Sequence, residues 1–391
     1  MIQTAASTND LIAHLCADFI KDKDPLITSA GFADSSPYAG QPRQTFSLVL
    51  SAATIQAIRD QVQGLYDEII RDCWPKGEVL PFDMIRFDAF LEPTTNDIKI
   101  LEINTRNVGL HEVVEWLDET VADEIGVTKN GSINQRFVQN QKVLHASLFG
   151  EDEPLLYMSP AFLPRWIYLA ELEKAYSKVA HITAAEQGEY TDNGVVVDGV
   201  CYRAITKKMA WPATETLKEL DAKSEVRILQ PRWMRQFGFK DYLQRLASPT
   251  VLRTETYSDE HLPSYLASKD QLVLKIIDGG NSKAVFLGGL LTDDDWRQKL
   301  EAASERPEKW IIQDYCAPPR LNIMAHGVGA RELPSQLGIF LLPCPDDPTK
   351  FDMDLTVKSY AGTDQHFTFD PSGLNPDIWF GHVIKSTAAI L

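Results

Sequence analysis

Apolar positions along this chain repeat with two different periods, and the period changes from segment to segment. Ile55, Ile58, Val62, Leu65 and Ile69 recur at steps of three and four behind Ser51, which predicts an amphipathic helix with Ser51 as its N-cap. Residues 84–91 and 97–104 are strand-like runs joined by the polar turn Pro93-Thr94-Thr95-Asn96, and so predict an antiparallel hairpin. Residues 30–45, rich in Ser, Gly, Pro and Ala, read as a loop, and residues 110–122 as a helix.

The later segments alternate in type. Residues 163–179 read as a helix, 194–200 as strand and turn, and 226–229 as a short buried strand. A helix is expected to open at Lys240, with Phe239, Tyr242, Leu243 and Leu246 on one face. A strand over 272–277 runs into Asp278-Gly279-Gly280-Asn281-Ser282, and a second strand covers 284–287. Thr292 is expected to cap a helix carrying Trp296 and Leu300, and a third strand, 310–315, ends before Pro318-Pro319. Strands interleaved with helices in this way argue for an α+β protein.

Length turns this pattern into parts. At 391 residues the chain exceeds one ordinary core, and it divides into 1–150, 151–235 and 236–391. The 44% hydrophobic and 24% charged content is that of an ordinary globular protein. The net charge of -17 argues against nucleic acid as a partner, because the surface repels phosphate backbones. It leaves room for a nucleotide, since a few cleft lysines with a bound cation set the local field. The five cysteines form no metal-spaced pair and read as free thiols in a reducing compartment. The first residues lack a basic start and long apolar run, and no stretch reaches the roughly 18 to 20 apolar residues of a membrane span. The expectation is a cytoplasmic protein with no membrane partner. No coiled-coil seam is present, so the oligomeric state stays open.

Three places carry chemistry. On the hairpin, Arg86 and Asp88 share one strand face, and Glu102 and Asn104 share one face of the partner strand. If the faces coincide, two carboxylates, an amide oxygen and a guanidinium converge, a set suited to magnesium and to a developing phosphoryl charge. A solvated surface hairpin competes with this reading. Ile98 and Ile100, counted on the same face as Glu102, argue against a wholly wet face. Second, Lys275 lies inside the apolar run Leu272-Val273-Leu274-Lys275-Ile276-Ile277, where an ammonium is costly unless paired or able to reach water. Gly279 and Gly280 follow and can close backbone N–H groups over phosphate, although an ordinary hairpin with a snorkelling lysine fits too. Third, Gln313, Asp314 and Tyr315 end an apolar strand that can present its backbone to an adenine edge; a core strand running into a loop is the alternative.

In this order the motifs resemble the ATP-grasp superfamily, and more narrowly the circularly permuted ATP-grasp proteins related to glutathionylspermidine synthetase. The resemblance runs over about residues 80–320. It rests on Arg86-Phe87-Asp88, on Glu102-Ile103-Asn104, on Gly199 to Arg203, on Lys240, on Val273-Leu274-Lys275 and on Ile312-Gln313-Asp314-Tyr315. Two departures stand out: Phe239 precedes Lys240 where a small polar residue is usual, and the flap carries Asn281, Ser282 and Lys283 in place of glycines. The resemblance implies a circularly permuted ATP-grasp fold with an additional α/β subdomain. It implies Asp88, Glu102 and Asn104 as Mg2+ ligands and Arg86 as the stabiliser of the reacting group. ATP would be bound by Lys240, Lys275, Gly279, Gly280 and the hinge Gln313-Asp314-Tyr315. The strands 337–342 and 355–361 would complete the ATP-binding sheet, with Lys358 near the phosphates.

The activity so implied is an ADP-forming carboxylate–amine ligase, working through an acyl phosphate and releasing phosphate. Arg106 and Arg203 are the candidates for holding the acid, with Arg320 a further one. His111, close after the metal strand, reads as a structural or surface residue. The partners expected are a small-molecule carboxylate and an amine. Two alternatives stay open: phosphorylation of an enol or other oxygen before amine addition, and a non-catalytic nucleotide-binding module.

Overall fold

The computed structural model describes residues 45–73, 84–105, 133–150, 152–158, 172–182, 187–207, 227–228, 237–278, 284–325, 329–344, 347–360 and 378–386. The predicted loop at 30–45 (but for its last residue), the helix at 110–122, Arg106, His111 and the flap residues Gly279 to Lys283 lie outside them.

Strand β1 (Thr45–Ser51) leads into helix α1 (Ala52–Cys73), and the Ser51 hydroxyl accepts the Thr54 N–H at 3.0 Å, as a cap should. The predicted stripe is real: Ile58, Val62, Leu65 and Ile69 are fully buried, with Ile55 packed beside them. Strands β2 (Ile85–Leu91) and β3 (Ile98–Asn104) form the predicted hairpin. Its turn is closed by the Asn96 N–H donating to Glu92 O at 2.8 Å, with Asn96 in the left-handed region that asparagine tolerates.

Helix α2 (Ile133–Phe149) precedes strands β4 (Leu155–Met158), β5 (Val179–Ile182), β6 (Glu189–Thr191), β7 (Gly194–Val197), β8 (Val200–Tyr202), β9 (Ala204–Lys207) and β10 (Arg227–Ile228). The helix expected through residue 179 covers 172–175 among the described residues, and the chain is already a strand at Val179. β10-β9-β4-β5 is one sheet, parallel throughout, and β6-β7-β8 is a small antiparallel one turned by Asp198-Gly199, both at positive φ.

The third part begins with a 3-10 helix, Lys240–Arg245, where an α-helix was expected. Then come β11 (Thr254–Thr256), α3 (Leu262–Ala267), β12 (Leu272–Ile276), β13 (Val285–Leu287), α4 (Asp293–Ser304) and β14 (Trp310–Asp314). Thr292 caps α4, its hydroxyl accepting the Asp295 N–H at 3.1 Å, and Trp296 and Leu300 are fully buried against Leu272, Leu274 and Ile312. The sheet order here is β11-β14-β12-β13, all antiparallel.

Strands β15 (Arg320–Ala325), β16 (Gly329–Cys344), β17 (Asp347–Tyr360) and β18 (Ile378–Ser386) finish the chain. They join β1 and the hairpin in one seven-stranded sheet, β15-β1-β18-β17-β16-β2-β3. The long β16 pairs with β15 along its first half and with β2 along its second, so β15 also closes the ladder back onto β16. The paired strands expected over 337–342 and 355–361 therefore exist, but they extend the hairpin's sheet rather than the sheet of Lys275.

Alternation gives the seven-stranded sheet one apolar face packed on α1 and an opposite face that is polar around Asp88, Gly338 and Lys358 but apolar at Phe340 and Leu342, which pack in a second cluster with Phe137 and Leu155. Phe87, Ala89 and Leu91, Leu337, Ile339 and Leu341, and Met353, Leu355 and Val357 pack with α1. The residues between them, Asp88, Gly338, Thr356 and Lys358 included, point the other way.

Candidate functional site

The hairpin register decides whether the predicted set converges. Arg86 stands opposite Asn104, and Asp88 opposite Glu102. Directly opposed residues of an antiparallel pair share a face, so all four side chains lie together.

Just beyond, the register slips. Asp88 pairs with Glu102 but Ala89 pairs with Ile100, which leaves Leu101 as an extra residue in β3. This bulge corrects the expected face of Ile98 and Ile100. They are buried in the apolar cluster with Ile103, on the side away from Glu102. The bulge turns β3 over, so that an apolar strand on one side of it can present Glu102 and Asn104 to the polar face on the other.

Asp88 is buried and doubly held. Arg86 Nε donates to its Oδ1 at 2.7 Å, Arg86 Nη2 to its Oδ2 at 3.2 Å, and Lys358 Nζ lies 3.8 Å from Oδ2. Burial alone would raise the carboxyl, but the Arg86 and Lys358 charges hold it below its ordinary value. Lys358 is itself buried, and burial lowers its ammonium against the pull of Asp88. The alternation of Asp352, Asp354, Thr356 and Lys358 with Met353, Leu355 and Val357 places Lys358 on the face away from α1 but does not foretell its burial. Gly338 lies between these groups: a Cβ there would stand 2.4 Å from Thr356 Oγ1 and 3.5 Å from Arg86 Cδ.

The second sheet supplies the other cations. Leu272 and Leu274 face the cluster under α4, so Val273 and Lys275 face the opposite way. Lys275 Nζ donates to Gln313 Oε1 at 2.6 Å. Burial pulls its ammonium down to about 8; Glu102 and Asp88 oppose the shift and Lys240 adds to it. Lys240, 5% exposed at the start of its 3-10 helix, places Nζ 4.0 Å from Glu102 Oε1. Among the described residues, Arg86, Lys240, Lys275 and Lys358 thus gather four cations around the carboxylates Asp88 and Glu102, a local concentration of positive charge in a chain of net charge -17. Such a concentration suits a polyanion.

No protein-family model and no curated protein matches the chain. A solved structure does: a glutathione synthetase-like effector from Globodera pallida in its apo form, with a TM-score of 0.60 at 10% identity, covering 98% of this chain and 100% of that one. The fold is ATP-grasp-like. Two looser likenesses are a putative gamma-glutamylcysteine synthetase from Methylobacillus flagellatus KT and the ATP-grasp ligase PsnB complexed with a minimal precursor. The first has a TM-score of 0.44 at 10% identity over 83% of this chain and 86% of that one. The second has 0.32 at 10% over 61% and 92%.

The remaining expected residues fare differently. The Asp314 and Tyr315 N–H groups donate to Arg253 O at 2.9 Å and Gln271 O at 2.7 Å, so an adenine edge would take its donor from further along the chain. Gln313 is turned into the protein, 1% exposed. Arg203 is committed to Glu153, with Nε 2.9 Å from Oε1 and Nη2 2.5 Å from Oε2, and lies over the Phe149 ring, apart from the cluster. Arg320 is exposed, with Nη2 donating to Glu332 O at 2.7 Å. Thr254 and Gly338, which shape the site, carry no sequence signal of their own.

The donor set fits a magnesium ion. Asp88, Glu102 and Asn104 offer only hard oxygens, and Glu102 keeps 30% of its side chain exposed for an incoming cation. The Asn104 Nδ2 is buried without a hydrogen-bond partner, so the protein does not tie down that end of the carboxamide. It is ready to give NH2 to a phosphate oxygen or, turned over, oxygen to a cation. Among the described residues no helix is long and apolar enough to cross a membrane.

Proposed function

We propose that the chain is an ADP-forming ATP-grasp ligase that joins a small-molecule carboxylate to an amine through an acyl phosphate. The observation that carries this reading is the two-sheet cluster: four cations and two carboxylates brought together from β2, β3, β12, β17 and the 3-10 helix at Lys240. The hairpin precedes the lysine strand in chain order, and we read that order as a circular permutation of the fold. On this reading, segments 1–150 and 236–391 form the ATP-grasp halves and 151–235 is an added α/β subdomain.

Each group then has a part. Lys240 and Lys275 bind the phosphates of ATP, with Gly279 and Gly280 kept as candidates for closing backbone N–H groups on them and the strand end at Gln313 to Tyr315 beside the base. Asp88, Glu102 and Asn104 hold Mg2+, which when bound supplies charge that offsets the crowding of phosphate oxygens. Arg86, fixed by Asp88, faces the group being transferred. Phosphoryl transfer needs alignment and charge stabilisation more than a protein nucleophile, and this cluster provides both. Arg106 is kept as a candidate for the acid; Arg203 is a weaker one because Glu153 already neutralises it.

The test is phosphate release. The purified chain with MgATP is screened against pools of carboxylic acids and amines, with Lys275→Ala as control. Release of ADP and phosphate that needs both an acid and an amine, and is absent in the variant, supports the ligase. Tight MgATP binding with no turnover in any pool would favour a nucleotide-binding module.

A further inference from the structure

The side chain of Gln313 touches both halves of the cluster. It lies at the centre of its sheet, buried, between β11 and β12. Its Nε2 donates to Thr254 Oγ1 at 2.9 Å and reaches Leu101 O at 3.4 Å; its Oε1 accepts from Lys275 Nζ at 2.6 Å.

The direction of this chain is set. Thr254 Oγ1 donates to Leu252 O at 2.9 Å, so its lone pairs are left for the Gln313 NH2. With its NH2 so engaged, the amide must turn its oxygen toward Lys275. Leu101 is the extra residue of the β3 bulge, one position before Glu102. The same bulge is tied to the strand leading into β11: the Ile100 N–H donates to Thr250 O at 2.7 Å and the Leu252 N–H to Ile100 O at 3.4 Å. One amide therefore spans from the phosphate-side lysine to the strand that carries the metal-side carboxylate. An amide also orients an ammonium without neutralising it, whereas a carboxylate in its place would cancel the charge a phosphate needs. Among the described residues, the charged groups that act on Lys275 are Glu102, Lys240 and Asp88.

We propose that Gln313 is a positioning residue that locks the Lys275 ammonium to the bulge of β3, holding the phosphate-binding and metal-binding halves of the site in register. The assignment of those halves rests on the ligase reading; the lock itself does not need a nucleotide.

The experiment has two arms. In the first, the full chain without nucleotide is trace-labelled by reductive methylation at one pH, and Lys275 is compared with the exposed Lys350 by peptide mass spectrometry. Gln313→Leu releases the amine and should speed Lys275 labelling about threefold or more; Gln313→Glu pins it and should slow it about threefold. Thr254→Val, milder, should speed it by less and carries the test if the leucine variant does not fold. Equal labelling in all variants, or acceleration in all as a loosened fold would give, overturns the lock. In the second arm, MgATP affinity is measured in a double-mutant cycle. Gln313→Leu should cost about tenfold in the parent and in Lys358→Met, but under about twofold in Lys275→Met, because it acts through that lysine. Equal loss on all backgrounds overturns the proposal. A parent that binds no MgATP contradicts the ligase reading, and the labelling arm still decides the lock.

Discussion

Asp88 and Glu102 face each other across the β2–β3 ladder and live in different surroundings. The Asp88 side chain is 9% exposed and gripped by Arg86 and Lys358; that of Glu102 is 30% exposed with Lys240 at 4.0 Å. Removing the Asp88 charge takes the carboxylate away from two largely buried cations, Arg86 and Lys358, so Asp88→Asn should cost about 3 kcal/mol of stability. Glu102→Gln should cost less than about 1 kcal/mol. Urea denaturation of the two variants checks this. The folded Asp88 carboxyl sits below its unfolded value, so its contribution is full above the unfolded value and is lost as pH falls through the folded one.

Lys275 shows the opposite linkage. Its ammonium is held at about 8 against an ordinary 10.5, so the unfolded chain binds more protons between those values and stability rises with pH across that window. Below pH 8 the buried charge opposes folding. Lys275→Met should therefore stabilise the free protein at pH 7 by about 1–3 kcal/mol while weakening ATP binding by about tenfold. Thermal melts at pH 7 and pH 10 should show the gain shrinking at the higher pH.

The same group makes nucleotide binding proton-linked. At pH 8 Lys275 is about half protonated, and a triphosphate beside it would restore the proton. Calorimetry in two buffers of different ionisation enthalpy should find uptake of about half a proton at pH 8, fading toward pH 7, with affinity falling as pH rises above about 8.

Gly338 tests the shape of the polar face. A methyl group there would stand 2.4 Å from Thr356 Oγ1, on the side where Arg86 bends toward Asp88. Gly338→Ala should cost about 1–3 kcal/mol from overpacking, and adding Thr356→Ala should recover most of it. Non-recovery in the double variant would place the strain in the backbone instead.

Local pattern made much of this readable. The α1 stripe, the Ser51 and Thr292 caps, the hairpin and the alternation that buries Leu272 and Leu274 while turning Lys275 to the opposite face all follow from period and capping chemistry. The bulge escapes strict alternation, which from Glu102 places Ile100 and Ile98 on its face. Two residues, Leu101 and Glu102, stand between the buried Ile100 and Ile103, and that doubled spacing is the signal of an inserted residue. The inward turn of Gln313 and the capture of Arg203 by Glu153 depend on partners 59 and 50 residues away, which period cannot reveal. Nor does any local pattern foretell that β1 pairs in parallel with β18 at the other end of the chain.

The central claim is that the hairpin carboxylates and the cleft lysines form one magnesium–nucleotide site. Calorimetric titration of ATP, with and without Mg2+, into the parent, Glu102→Ala and Lys275→Ala tests it most directly. Magnesium-dependent binding is expected in the parent, with loss of the magnesium dependence in Glu102→Ala and weakening of about tenfold or more in Lys275→Ala. A parent that binds no nucleotide with or without Mg2+, or variants that bind as it does, would contradict the account.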